Sequence, residues 1–405
     1  MAEKLPIEFV FDPEFARDPY GVYAALREKG PVHAIDFPPG TDAFLVIDYE
    51  HGRPALNDPR LSKEFKHAPA VFRQFVTDAG RNNPVLAHNM LSSDPPDHTR
   101  LRRLVSKAFT PRRTESLRPR IQEIADGLVD AMAPTGRADL IGDFAFPLPI
   151  VVICELLGVP AEDRDAFREW SATLIDPAMD EEQLRRRAEV NAAIRDYFGR
   201  LIAERRAEPR DDMISALVSA RDDRELLSEQ ELMATLTLLL IAGHETTVNL
   251  IGNGVLALLT HPDQLALLRE RPELIPSAVE EFLRYEGPVE RATLRFATED
   301  LQIAGVHIPE GSVVHISLGA ADRDPEAFAH PDTLDVTRAD NHHVAFGHGI
   351  HFCLGAPLAR LEGRIAFETL LRRLPGLALD CPPAEAAWRR SGSLIRGLEA
   401  LPVTF

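Results

Sequence analysis

The chain has 405 residues, of which 45% are hydrophobic and 27% are charged, a composition typical of a globular protein. Its net charge of −18 argues against nucleic acid and anionic membrane surfaces as partners. Three widely spaced cysteines form no disulfide framework, and no signal-peptide pattern opens the chain. The longest apolar run, near residues 236–243, is far shorter than the roughly 20 residues of a membrane helix. We therefore expect a cytoplasmic protein.

The first ninety residues predict little helix. A short helix is expected over residues 19–29, followed by VHAIDF and AFLVIDY, two strands that Pro-Pro-Gly joins as a hairpin. Residues 62–92 combine weak periodicity with many helix breakers, which predicts a loop region.

From residue 90 to residue 286 the apolar spacing is mostly helical. Segments at helical spacing cover residues 97–108, 115–133, 147–157, 163–175, 181–207, 211–221 and 275–286. The longest helix is expected from Ser228, which forms a capping-box pattern with Glu231, to Thr260. Because this helix is apolar on nearly all faces, it should lie buried in the middle of the protein.

After residue 287 short strands are expected at about residues 293–320, then a helix over 356–373 and C-terminal strands. Together with a β-rich part at about residues 31–60, this predicts a mainly α fold with a smaller β-rich portion. No linker divides the chain, so we expect residues 1–405 to form a single domain.

The segment FGHGIHFCLG, residues 346–355, carries the most unusual chemistry of the chain. Cys353 directly precedes a helix that begins near Ala356, and a helix N-terminus favours a thiolate and lowers its pKa. Gly347 and Gly355 let the backbone approach a flat or bulky group, and Phe346 offers an apolar face.

Three interpretations of Cys353 remain open from these residues alone. The first is a buried structural cysteine in a tight turn. The second is a zinc site, whose candidate ligands are His342, His343, His348, His351 and Cys353, although their spacing does not match the usual paired ligands. The third is a thiolate that serves as the axial ligand of a haem iron.

The stretch FGHGIHFCLGAPLAR resembles the haem-binding loop of the cytochrome P450 family. The resemblance implies the cytochrome P450 fold around a buried haem b, with Cys353 as the iron ligand. It also implies cofactor contacts from Phe346, Gly347, Leu354 and Gly355.

AGHETT, residues 242–247, lies in the middle of the long buried helix. A buried acid beside a hydroxyl suggests proton delivery. The stretch resembles the oxygen-activation motif of the family, which implies that Thr246 contacts O₂ and Glu245 relays protons. Ala242 and Gly243 would leave room for O₂ next to the haem.

The haem propionates require cations or other donors if they are buried. In DPPDHTRLRR, His98 and Arg102 lie four residues apart on one helix face. The family resemblance assigns the propionate contacts to His98, Arg102, Arg295 and His351. A further match, Glu281 and Arg284, resembles the structural Glu-x-x-Arg pair of the family, and Asp335 and Arg338 are candidates for the same network.

The resemblance implies a monooxygenase that inserts one oxygen atom of O₂ into a C–H bond, by hydroxylation or by epoxidation. The chain contains no reductase motif, so electrons should come from a separate ferredoxin or flavodoxin and its NAD(P)H reductase. A net charge of −18 repels an acidic ferredoxin, so a local basic patch is needed, for which the candidates are Arg112, Arg113, Arg360 and Arg364. We expect a monomer.

The substrate should be a hydrophobic small molecule such as a macrolide or polyketide, a terpenoid or a steroid. The candidate contacts, taken from the positions that shape the pocket in the family, are Leu86, His88, Met90, Leu174, Leu238, Val289, Arg291, Leu294, Leu394 and Ile395. Two alternatives stay open: a peroxygenase that uses H₂O₂, and a haem- or ligand-binding protein without catalysis.

Overall fold

Helices make up most of the fold. The computed structural model describes residues 5–6, 13–36, 41–78, 88–175, 180–220, 226–389 and 394–405. The α-helices of these ranges are α1 Pro13–Arg17, α2 Pro19–Arg27, α3 Tyr49–Ala55, α4 Ala70–Asp78, α5 Asp97–Ala108, α6 Pro111–Ser116, α7 Arg118–Met132, α8 Pro147–Leu157, α9 Arg164–Ile175, α10 Glu181–Ala207, α11 Met213–Ser219, α12 Glu229–Thr260, α13 Pro262–Glu270, α14 Ile275–Tyr285, α15 Leu318–Ala321 and α16 Ala356–Arg373.

The strands are short and form one larger sheet and three small ones. They are β1 Leu5–Pro6, β2 Val32–Asp36, β3 Ala43–Val46, β4 Leu61–Ser62, β5 Arg137–Asp139, β6 Arg295–Ala297, β7 Leu301–Ile303, β8 Val306–Ile308, β9 Val313–Ile316, β10 Ala378–Leu379, β11 Ala387–Trp388, β12 Leu398–Ala400 and β13 Pro402–Thr404. The larger sheet has the order β1-β2-β3-β9-β6-β4, and the small sheets are β10-β13-β5, β11-β12 and β7-β8.

Helix α12 runs through the centre of the helical part, as predicted. The Ser228 hydroxyl and the Glu231 carboxylate form both bonds of the capping box at its start. α12 is long and apolar enough to cross a bilayer, but 72% of its apolar stretch is buried inside the protein. It packs against α8, α14 and α16, and the largest apolar cluster of the protein surrounds it. Its apolar surface therefore serves the core of the fold.

The larger sheet combines β1 to β4, from the first part of the chain, with β6 and β9, which follow α14. β2 and β3 form the predicted antiparallel hairpin, with Val32 opposite Val46. β3 then pairs in parallel with β9, which places Ala43 opposite Val313. The sheet brings Arg295, at the start of β6, to the edge of the helical part.

Two predictions about secondary structure need correction. Within the described part of residues 62–92, where a loop was expected, α4 occupies Ala70–Asp78 and packs Phe72 into a small apolar cluster. The part at residues 31–60 contains the strands β2 and β3 but also the helix Tyr49–Ala55. The predicted end of α12 at Thr260 is confirmed. Pro262 then occupies the first turn of α13, a helix that the sequence analysis did not predict, at a position where proline has no N–H bond to lose.

Candidate active site

A large cavity lies between α12 and the segment that contains Cys353. It encloses about 1440 Å³ of space between atoms, part of which is open to solvent. α12 contributes Leu238, Ala242 and Thr246 to its lining, and the opposite side carries Phe346 and Cys353. Most of the lining is apolar, and the charged side chains in it, Arg102 and Arg295, lie at the cysteine side.

Cys353 presents its thiol to this cavity. The Cys353 side chain lies deep in the protein, yet it is accessible because it faces the open space of the cavity. The Cys353 N–H donates to the Phe346 carbonyl at 2.9 Å, which closes the loop. Gly347 has a φ of +73°, a conformation that favours glycine at this turn. The interpretation of Cys353 as a packed structural cysteine does not agree with this geometry.

Burial raises the pKa of the Cys353 thiol in the protein alone. The N–H groups of Gly355 and Ala356 and the Arg102 guanidinium act in the opposite direction but do not outweigh burial. The helix N-terminus thus acts in the expected direction, but burial has the larger effect on this pKa in the protein alone. A thiolate here requires a positive partner such as a metal ion.

A group of basic side chains, which we call the basic edge, borders the cavity next to Cys353: Lys63, His98, Arg102, Arg295 and His351. The His98 ring lies 4.4 Å from the His351 ring, centroid to centroid. Arg102 donates to the Phe352 carbonyl at 2.7 Å. Arg295 donates to the carbonyls of Thr293 and Leu56 at 3.1 and 3.0 Å. The structure thus brings together the four propionate contacts that the family resemblance implied.

The basic edge carries more positive than negative charge. Burial lowers the pKa of Arg295 to about 10, and burial together with the neighbouring cations lowers the pKa of His351 to about 3. Burial and Arg295 also hold the pKa of Lys63 far below its ordinary value. Among the described residues, Asp94 is the carboxylate that opposes these shifts at Lys63 and Arg295. Such a site favours an anionic ligand.

These features fit a haem bound through its iron by Cys353. Both ring nitrogens of His98 are buried, and neither makes a well-formed hydrogen bond in the described protein. The Ile350 carbonyl lies near enough to raise the pKa of His98, but burial lowers this pKa more. Donors without partners and uncompensated cations at one edge suit two propionates. Phe346, Leu354 and Ala242 line the same cavity and offer apolar contacts to a flat ring.

Thr246 and Glu245 are neighbours in sequence but face different surroundings. Thr246 lines the cavity, and its hydroxyl donates to the Ala242 carbonyl at 3.1 Å. Glu245 is buried and does not belong to the cavity lining; its carboxylate forms an ion pair with Arg389. The predicted buried acid is present, and its partner is a residue 144 positions away.

His244 and Gly243 have packing functions. The Nδ1 of His244 lies 2.7 Å from the Leu240 carbonyl, and its Nε2 lies 2.9 Å from the Ser171 hydroxyl. Burial lowers the pKa of His244, so its ring is neutral. A Cβ at Gly243 would come within 2.7 Å of the Ile153 side chain. Gly243 therefore allows α12 to approach α8, and it also lines the cavity.

The pair formed by Glu281 and Arg284 is fully buried, with bonds of 2.7 and 2.8 Å. Arg338 donates to Glu281 at 3.0 Å, which confirms its predicted place in this network. Asp335 also belongs to the network, but through its backbone N–H rather than its carboxylate. Arg284 further binds the carbonyls of residues 322, 331 and 333.

The zinc interpretation is not supported. The Nδ1 of His342 lies 2.9 Å from Asp340, and the Nε2 of His343 lies 3.2 Å from Glu280. Across the described residues, no three His, Cys, Asp or Glu side chains come together in a way that could hold a metal ion. His351 instead belongs to the basic edge.

Three of the ten predicted substrate contacts line the cavity: Met90, Leu238 and Val289. Leu86 lies outside the described residues. His88, Leu174, Arg291, Leu294, Leu394 and Ile395 are described but do not belong to the cavity lining.

Packing elsewhere explains several of these errors. Arg291 turns away from the cavity and bonds to Glu290 at 2.5 Å. Leu294 packs against the small apolar cluster under the N-terminal helices, and Leu174 packs against the main core. Pro288, Val289 and Ala292 form one wall of the cavity. Ile395 pairs with Val289 and lies behind this wall.

Several lining residues were missed by the sequence analysis. They are Leu56, Leu91, Phe109, Ile153, Leu250, Pro288 and Leu318. Pro288 directly precedes the predicted Val289 and was within reach of the same argument. Ile153 carries no local signal, because only the approach of α8 to Gly243 brings it to the cavity. Lys63 and Arg389 were missed for the same kind of reason.

Comparisons with known proteins agree with this site. The family model "Cytochrome P450" matches residues 166–380. The chain is 51% identical to Cytochrome P450 107B1 of Saccharopolyspora erythraea over 99% of this chain and 98% of that one. It is 48% identical to the mycinamicin IV hydroxylase/epoxidase of Micromonospora griseorubida over 95% of each chain.

The fold is likewise similar to solved structures. The myxobacterial cytochrome P450 CYP267B1, solved in complex with myristic acid, has a TM-score of 0.93 and 46% identity, with 98% of this chain and 99% of that one covered. Both the sequence and the fold therefore match over nearly the whole chain. The chain belongs to the cytochrome P450 family and is a haem-dependent monooxygenase.

Proposed function

We propose that this enzyme hydroxylates, and in some substrates epoxidises, a hydrophobic natural product held between α12 and the Pro288–Ala292 wall. The observation that carries the proposal is the cavity itself, which has a thiol and cations on one side and, on the other, a mostly apolar surface in which the Thr246 hydroxyl lies beside Ala242. The reaction requires O₂ and two electrons. We further propose that residues 1–405 form one cytoplasmic, monomeric domain.

Haem b, when bound, supplies the redox chemistry that activates O₂. In our proposal Cys353 ligates its iron, and His98, Arg102, Arg295 and His351 hold its propionates. Glu281 and Arg284 keep a structural role behind the cysteine loop.

Thr246 and Glu245 handle protons in this proposal. The Thr246 oxygen can accept a hydrogen bond from one neighbour while its O–H donates a hydrogen bond to another group in the cavity. A proton can therefore pass along this chain of hydrogen bonds. Glu245 takes protons from the solvent side, where the partly exposed Arg389 reaches it. Because the carboxylate is not part of the cavity lining, it passes protons to Thr246 through a change of side-chain position or a water molecule.

The apolar lining favours a macrolide or polyketide, a terpenoid or a steroid as the substrate. Met90, Leu238 and Val289 are the proposed contacts, together with Ile153 and Pro288. Mycinamicin IV, which the name of one relative specifies, is the first compound to test.

Electrons are proposed to come from a small ferredoxin or flavodoxin and its NAD(P)H reductase. Two of the four candidate arginines are already engaged: Arg360 bonds to Glu280 at 2.7 Å, and Arg113 pairs with Asp211 at 3.4 Å. Arg112 and Arg364 are therefore the better candidates for a docking patch.

The test is Thr246→Ala in the haem-loaded enzyme with a ferredoxin system. We expect O₂ consumption to continue while product falls by about 10²-fold, the lower end of what a positioned proton donor contributes. Thr237→Ala is the matched control, since the Thr237 hydroxyl makes the same bond one turn back on α12, to the Met233 carbonyl at 2.9 Å, and Thr237 does not line the cavity. Unchanged product formation in Thr246→Ala contradicts the proposed role. Turnover with H₂O₂ alone, at a rate equal to that with O₂ and electrons, favours the peroxygenase.

A further inference from the structure

A row of polar side chains on α12 faces the C-terminal hairpin, by which we mean residues 387–389 and 394–400. Glu245, Asn249 and Asn253 are all buried and recur every four residues, so they lie on one face of the helix. Each meets the C-terminal hairpin. What these three buried polar side chains of α12 share is one face of the helix and one neighbour, the C-terminal hairpin.

The three contacts differ in kind. The Arg389 guanidinium forms an ion pair with the Glu245 carboxylate. The Asn253 amide donates to the Arg396 carbonyl at 3.2 Å. At Gly397 an added Cβ would come within 1.7 Å of the Asn249 side-chain oxygen, so here the hairpin backbone packs directly on the helix.

The same hairpin also supports the cavity wall. The Glu290 N–H donates to the Leu394 carbonyl at 2.9 Å, and the Arg396 N–H donates to the Pro288 carbonyl at 2.9 Å. Val289, which lines the cavity, pairs with Ile395 between these two bonds. Two backbone hydrogen bonds and one β-bridge therefore join the wall to the hairpin.

Arg389 connects the two sets of contacts. Its N–H donates to the Gly397 carbonyl at 2.9 Å, which ties it to the strand behind the wall. Its side chain ends at Glu245, whose carboxylate is 4% exposed, whereas the Arg389 side chain is 29% exposed. A displacement of the wall thus reaches the acid through one hydrogen-bonded strand and one ion pair.

We infer that Arg389 is a positioning residue that couples ligand binding against the Pro288–Val289 wall to the orientation of the Glu245 carboxylate. A ligand large enough to press on the wall shifts residues 394–397 and so alters the Arg389 pairing with Glu245. By reciprocity, loss of the ion pair changes the affinity for such a ligand. A small ligand that does not reach the wall is insensitive to Arg389. The catalytic consequence rests on the proposed function of Glu245, but the coupling can be measured without turnover.

The experiment uses the haem-loaded, full-length ferric protein and two azoles that report binding through the visible absorption band. Clotrimazole is bulky, so the proposal expects it to press on the wall, whereas imidazole is too small to do so. Dissociation constants are measured for the wild type, Arg389→Met, Glu245→Gln and the double variant. Arg389→Lys preserves a cation, and Arg271→Met is the control, since Arg271 forms an exposed ion pair with Glu273 at 3.1 Å.

We expect Arg389→Met to change the dissociation constant of clotrimazole by about fivefold or more and that of imidazole not at all. The change should vanish when Arg389→Met is made in the Glu245→Gln background, because the partner is gone. Arg389→Lys and Arg271→Met should resemble the wild type.

Several results overturn the coupling. The first is an equal effect of Arg389→Met on both azoles, and the second is an effect that persists in the Glu245→Gln background. The third is loss of haem in Arg389→Met that the double variant does not rescue, because Arg389 would then act independently of Glu245. If neither azole shifts the absorption band of the wild type, the proposed haem chemistry is overturned, and the coupling with it. A shift in the wild type without any dependence on Arg389 overturns the coupling alone.

Discussion

Two buried charged regions flank the cysteine loop, and they differ in how their charges are balanced. In the network around Glu281, the carboxylate receives donors from Arg284, Arg338, Asn341 and a backbone N–H, and Arg284 also binds three carbonyls. The basic edge instead collects Lys63, Arg102 and Arg295, with Asp94 as the nearby carboxylate. The charges of the first region are balanced within the described protein, whereas in our proposal the haem propionates balance those of the second. A buried charge that no group of the protein neutralises thus indicates a binding site for a ligand of opposite charge.

The largest effect is expected from breaking the balanced region. Glu281→Gln leaves the buried Arg284 guanidinium without its anion, so the free energy of unfolding should fall by about 3–5 kcal/mol, with or without haem. Urea unfolding followed by circular dichroism measures this loss. The matched control is Glu273→Gln, which breaks an exposed ion pair and should cost at most about 1 kcal/mol. Equal losses in the two variants would show that the Glu281 network is not a distinct structural centre.

The basic edge should respond in the opposite way. Arg295→Met removes an uncompensated buried cation, so the stability of the apoprotein should not fall as that of Glu281→Gln does. Haem, however, should bind about 10- to 100-fold more weakly, which corresponds to the roughly 1.5–3 kcal/mol of a charged hydrogen bond. Transfer of haem to a scavenger protein measures the difference. Arg103→Met, on the exposed face of α5, serves as the control. Haem retention equal to that of the wild type would contradict the assignment of this edge to the propionates.

Glu362 on α16 sharpens the comparison, since no cation of the described residues pairs with this buried acid. Burial raises the pKa of its carboxyl to about 8, while the neighbouring Thr247 hydroxyl lowers it less. The unfolded value is about 4.3, so the folded protein retains this proton between about pH 4.3 and pH 8. Stability is therefore fully present below about pH 4.3 and is lost as the pH rises towards 8, by no more than about 1.4 kcal/mol per pH unit.

Glu362→Gln removes this dependence. The difference in free energy of unfolding between Glu362→Gln and the wild type should grow in favour of the variant from pH 5 to pH 8. Glu368→Gln, on the exposed face of the same helix, should show no such trend. A difference that stays constant with pH would mean that Glu362 is ionised in the folded protein.

Much of the helical framework could be predicted from the sequence. The bounds of α5, α8, α10 and α16 agree with the apolar spacing to the residue, because caps and prolines mark their ends. α13 was missed because a proline was treated as a stop, although it equally begins a helix. The cysteine loop was predictable because its residues lie in one short motif. The basic edge combines separate segments of the chain; the family resemblance implied four of its residues, and Lys63 was missed.

The substrate side was much less predictable. Val289 and Ile395 lie far apart in sequence, and only their pairing places one at the cavity and the other behind it. Arg389 carries no local signal that connects it to Glu245, 144 residues earlier. Arg291 was taken as a wall residue by its sequence position, but the strand geometry turns it towards Glu290 instead. Such features depend on long-range packing, which residue spacing does not encode.

The most direct test of the account is the visible absorption spectrum of the reduced, carbon monoxide-bound protein, compared between the wild type and Cys353→His. Thiolate ligation by Cys353 predicts an intense haem band in the wild type that shifts to shorter wavelength when imidazole replaces the sulfur. A band at the same wavelength in both proteins, or no haem band in the wild type reconstituted with haem, would contradict Cys353 as the iron ligand.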